Sequence, residues 1–99
     1  MPDDPTAEAE PKPIDVYEAI AQMVDLLSSI AWQKMGLQND MVTGKIHKDL
    51  GQAKAAVDAT AALVTVLEPA LDEEKDKREV QNLVRDLRIN YVQKSGGDS

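Results

Sequence analysis

Residues 14–37, IDVYEAIAQMVDLLSSIAWQKMGL, decide the fold. Plotted at 100° per residue, Val16, Tyr17, Ile20, Met23, Val24, Leu26, Leu27, Ile30, Ala31 and Met35 form one apolar arc. With Ala21 and Trp32 it covers about two thirds of the circumference, far beyond the ~100° of a surface helix. Glu18, Gln22, Asp25, Ser29 and Gln33 leave only a narrow polar strip. The segment predicts a helix over 15–35. Asp15 is a good N-cap, and Glu18 three residues on suits a capping box. Pro13 favours an extended entry. At the other end Gly36 supplies the left-handed C′ residue, which makes Leu37 the C″ residue and Trp32 the C3 residue of a Schellman motif.

Two further helices follow. Asp49 and Gln52, in DLGQ, mark the start of a helix over 49–68. Pro69 stops it, because the residue before proline disfavours helical backbone. Leu50, Ala53, Val57, Thr60, Val64 and Leu67 share one face, and Ala55, Ala59, Ala62 and Val66 the other. A third helix is expected over 72–93, with Asp72 as N-cap and acids in the first turn, where the helix dipole favours them. Glu73–Lys77 and Glu74–Arg78 suit i,i+4 pairing. Val80, Leu83, Val84, Leu87 and Tyr91 make a narrow stripe, with Ile89 and Val92 off it and Asn90 near it, where a buried polar residue can fix register.

The expectation is an all-α fold: a three-helix up-down bundle, or a helical hairpin plus a third helix. One alanine-rich helix and one narrow-striped helix cannot cover the first. The apolar excess is therefore expected to be buried between chains, in a symmetric homodimer or larger bundle with helix 1 near its centre. A domain of about eighty residues, 14–94, often relies on such assembly. Residues 1–13 read as a disordered acidic tail rich in proline and alanine, and 95–99 as a flexible tail.

Composition excludes several functions. The formal charge is −7, of which residues 1–13 carry −3, so the helical part is itself acidic. That argues against a nucleic-acid partner. There is no cysteine, hence no disulfide or thiolate metal site. The single histidine, His47, has no companion ligands at metal spacing. Gly36, Gly44 and Gly51 are isolated and form no phosphate loop. No catalytic residue, metal, cofactor or small-molecule substrate is expected, and enzyme activity is not. Asp25 interrupts the best apolar run, so no membrane span is expected, and without a secretory leader the expected location is cytoplasmic.

What remains is an interaction protein. Its interface candidates are Tyr17, Ile20, Met23, Leu26, Leu27, Ile30, Trp32 and Met35 on helix 1, Leu37 and Met41 in the loop, and Arg85, Arg88 and Tyr91 on helix 3. Trp32 reads either as a plug that closes the helix end or as an anchor for a partner. Arg85 and Arg88 read as partners of carboxylates on a neighbouring helix, in this chain or another, or as contacts to an acidic partner. The loop LQNDMVTGKIHK, with its turn at Thr43-Gly44, packs over the bundle end or docks on a partner. Three roles fit: a homo-oligomeric structural or accessory subunit, a regulatory module whose core is completed by a different protein, and an acidic mimic occupying a basic nucleic-acid site.

IDVYEAIAQMVDLLSSIAWQKMGL, TGKIHKDLGQAKAAVDATAAL and LVRDLRINYVQ, in this order and spacing, resemble an uncharacterised bacterial family, domain of unknown function 1844. The likeness covers nearly all of 14–93, and AWQKMG, DLGQAKAAVD and RDLRINYV are its most specific parts. Members often have prolines before the Thr-Gly turn, where this chain reads NDMVTG. The resemblance implies a small helical cytoplasmic protein, with no ligand and no catalytic residue to carry over.

Overall fold

The computed structural model describes residues 11–96. They form three α-helices, α1 (Val16–Lys34), α2 (Leu50–Leu67) and α3 (Glu74–Gly96), with a single 3-10 turn over Glu68–Ala70 between the last two. No strand occurs among the described residues. The fold is all-α, as expected. The acidic stretch 1–10 and residues 97–99 lie outside the described residues.

The helix ends follow from local chemistry. Asp15 caps α1, its Oδ1 accepting from the Tyr17 N–H at 2.8 Å and from the Glu18 N–H at 3.4 Å. Asp49 caps α2 by accepting from the Gln52 N–H at 3.0 Å. The far end of α1 is a Schellman motif. Gly36 sits at φ +83°, its N–H donates to the Gln33 carbonyl, and the Leu37 N–H donates to the Trp32 carbonyl.

Two ends differ from the sequence reading. Glu68 precedes Pro69 yet keeps helical backbone (φ −54°, ψ −46°), and the chain tightens into a 3-10 turn before leaving the helix. The Gln81 amide donates to the Glu68 carboxylate and ties that turn to α3. Helix α3 starts at Glu74, not at Asp72: the Glu73 carbonyl takes the first helical bond, from the Lys77 N–H at 3.1 Å. It then runs through Gly96, past the expected end at 93, and draws Ser95 and Gly96 out of the expected tail. Lys77 also pairs with Glu74 (3.9 Å) instead of Glu73.

The helices run up, down and up. Ala31 and Met35 of α1 meet Ala53, Ala56 and Val57 of α2 and Leu87 of α3, with Trp32, Leu83 and Tyr91 packed around them. At the other end Val24 meets Val64, Leu67 and Val84. Alanines at Ala31, Ala53 and Ala56 let α1 and α2 approach closely, and buried Thr60 returns its hydroxyl to the Ala56 carbonyl at 2.8 Å. Within one chain α2 is the central element, because α1 and α3 each pack chiefly on it and meet each other over little area. Asn90 donates its amide to the Asp86 carbonyl of its own helix (2.8 Å), so it does not bridge helices.

One sequence expectation on membranes needs correction. Leu50–Ala70 is long and apolar enough, at mean hydropathy 1.2, to meet the length and composition of a span. Its packing explains that composition. Six of its residues, Ala53, Ala56, Val57, Thr60, Val64 and Leu67, are buried as the core between α1 and α3. Its outer side carries the Lys54–Asp58 pair at 2.7 Å.

Candidate functional site

Helix α1 has two apolar faces, and the chain covers one. Val24, Ser28, Ala31 and Met35 are buried against α2 and α3. On the opposite side Val16, Met23 and Leu26 are 58, 51 and 52 % exposed, with Ala19 and Ile30 half-buried beside them. These five residues follow a three-four spacing, Val16, Ala19, Met23, Leu26, Ile30, which is that of a and d positions in a heptad. The half-buried pair Ile20 and Leu27 borders the stripe.

The next position of that spacing is Gln33, which the sequence reading placed on the polar strip. It is buried instead. Its Oε1 accepts the Met41 N–H at 2.9 Å, so the loop backbone closes over the end of the stripe. The loop is tied at further points. The Asp40 N–H donates to the Lys45 carbonyl and the Gly44 N–H to the Asp40 carbonyl, both at 2.8 Å, with Gly44 at φ +73°. Asp40 Oδ1 accepts from the Val42 and Thr43 N–H groups, and these two bonds, Thr43's first, hold its carboxyl below the usual carboxylate value. The Asp49 N–H donates back to the Lys34 carbonyl at the α1 terminus (2.8 Å).

The loop therefore packs by its backbone, while its apolar side chains stay out. Leu37, Met41, Val42 and Ile46 are all exposed, Val42 by 88 %. The sequence leaves two readings for this loop, packing over the bundle end or docking on a partner. The structure divides it between a tied backbone and uncovered side chains.

The sequence candidates thus separate into groups. Met35 is 1 % exposed and lies in the core, so it is unavailable to any partner. Trp32 and Tyr91 are half-buried against that core, and Ile20 packs against the second cluster. Trp32 thus packs against the core at the end of α1 while keeping part of its ring exposed. Tyr17, Met23, Leu26, Leu37 and Met41 are exposed, and Leu27 and Ile30 are half-buried. Arg85 and Arg88 are exposed on α3. Arg85 reaches its neighbour Asp86 at 3.4 Å, and among the described residues neither arginine pairs with another helix. Val16 and Ala19 belong to the outer stripe but were missing from the candidates; the three-four spacing was the signal that marks them.

Chemistry is sparse. No group of three or more His, Cys, Asp and Glu that could hold a metal occurs among the described residues, and His47 is exposed in the loop. Lys54 is shifted upward by its hydrogen bond to Asp58, on the solvated side of α2. Arg88, Ile89, Val92 and Gln93 line a shallow open concavity built from a single helix.

No curated protein and no solved structure matches the chain. A family model does, over residues 17–93, from the start of α1 through most of α3. The chain belongs to the family described as Domain of unknown function (DUF1844).

Proposed function

We propose that this protein is a non-enzymatic helical interaction module that assembles with a second copy of itself through the outer face of α1. The observation that carries the reading is the exposed set Val16, Met23 and Leu26, continued by half-buried Ala19 and Ile30, an apolar face on a helix whose other apolar face is already used. Removing such surface from water is worth roughly 25 cal/mol per Å². A small domain with a narrow core gains most from doing so. The face is self-compatible because Glu18 and Asp25 lie outside the stripe, so a second copy brings no carboxylate against carboxylate along it.

Light scattering on the full chain across a dilution series tests the reading. A mass of two chains or more, falling to one on dilution, is the expected result. A monomer at every concentration overturns it.

A second reading rests on the loop. Leu37, Met41, Val42 and Ile46 are presented on a backbone held by its own hydrogen bonds, and a different protein is the natural acceptor for them. In that role the chain is a regulatory module completed by its partner. Its mark is a monomer that binds an apolar dye and loses that binding when Met41 and Val42 are replaced by serine.

A further inference from the structure

We infer that the partner on α1 is a second copy in antiparallel orientation, with the two-fold axis beside Val24 and Asp25. This rests on the self-assembly reading above and specifies its geometry. With the axis there, Met23 faces Leu26 of the second copy and Ala19 faces its Ile30. Each a position then meets a d position, the pairing of an antiparallel two-helix seam, and the contact is isologous, as a closed dimer requires.

Two observations select this orientation over the parallel one, and a third sets where the seam ends. The first is size. Antiparallel pairing sets small Ala19 against large Ile30, whereas parallel pairing sets alanine against alanine and leaves a gap in the seam. The second is charge. Asp15 and Glu18 stand at the amino end of α1 and Lys34 at its carboxyl end. Antiparallel copies bring each Lys34 beside the other's acidic end; parallel copies put Lys34 beside Lys34. The helix dipoles add in the same sense. The third is the end of the stripe. Gln33 is already covered by its bond to the Met41 N–H, so the seam stops there and Val16 of the second copy lies over that tie. In such a dimer α2 and α3 lie on the outside of the paired α1 helices.

The absence of natural cysteine makes a clean test. Full-length chains carrying Ala19→Cys and Ile30→Cys are mixed, oxidised and weighed by mass spectrometry, with Asp25→Cys, off the seam, as control. The mixed Ala19–Ile30 disulfide is expected to take nearly all cross-linked material, against the half that random pairing gives. Predominant Ala19–Ala19 cross-links overturn the inference in favour of a parallel pair. A dimer mass without the mixed cross-link also overturns the register while leaving self-assembly standing. A monomer mass at every concentration removes both. Should either variant misfold, separate Met23→Cys and Leu26→Cys chains, mixed and oxidised in the same way, read the same register, since antiparallel copies give the mixed cross-link and parallel copies only the two like ones.

Discussion

The inner face of α1 carries Val24, Ser28, Ala31 and Met35, and the outer face Val16, Met23, Leu26 and Ile30. The outer face is the more apolar of the two, since it has no hydroxyl and larger side chains, yet on it Val16, Met23 and Leu26 are exposed and Ile30 is only half-buried. What selects the inner face is the fit of its small residues. Ser28 folds its hydroxyl onto the Asp25 carbonyl (3.0 Å), and Ala31 leaves room for Ala53 and Ala56 to come close. Close approach multiplies dispersion contacts, each small and together large. Hydrophobicity sets how much of a helix seeks cover; shape sets which side the chain's own helices provide it to.

Substitutions on the two faces should break this contrast in opposite ways. The largest effect is expected where α3 seals the inner face. Leu87 has no exposed surface, so Leu87→Ala should cost about 2–5 kcal/mol in urea denaturation. A loss within the range of a surface change would show that α3 is not docked on α1 and α2. Next comes the joint between α1 and its loop. Gly36 sits at φ +83° with the Lys48 side chain 3.4 Å from where a Cβ would stand, so Gly36→Ala should cost about 1–2 kcal/mol of thermal stability. An unchanged melting temperature would mean that the left-handed cap does not persist in solution.

On the outer face the sign of the comparison reverses. Leu26→Ser should change the unfolding of the separated monomer by no more than about 0.5 kcal/mol, because that side chain is half in water. The same substitution should abolish the concentration-dependent mass. If it unfolds the monomer instead, Leu26 supports the chain's own core and the contrast between the faces fails. The smallest effect is expected in the loop. The folded Asp40 carboxyl lies below its ordinary value of 3.8, so its contribution to loop order is complete above that pH and is lost as acidification passes the lowered value. Amide exchange at Val42 and Thr43 should accelerate only in that acid window, and acceleration already at neutral pH would refute the turn.

Much of this was legible residue by residue. Asp15, Asp49 and Gly36 mark helix ends because caps and left-handed glycines act through neighbours in the chain, and the same residues perform those roles in the structure. The breadth of the α1 arc was legible too, and it correctly exceeded what one chain can cover. Gln33 was not, because its burial depends on Met41, whose return over the helix end is a loop-closure event that periodicity does not encode. The start of α3 was misplaced because Asp72 and Glu73 are both competent first-turn acids, and the docking of Leu71 and Val80 on the second core cluster goes with a start at Glu74.

The sequence by itself determined three helices, their caps, the acidic balance and the presence of more apolar helix surface than one small domain can bury. These are local or additive properties, carried by spacing and composition. Only the tertiary structure decided that α2 is the central helix, that Met35 lies in the core with Trp32 packed against it, and that Val16, Met23 and Leu26 remain exposed. That division depends on which side chains interdigitate across helices, a matter of shape in three dimensions that no single segment contains.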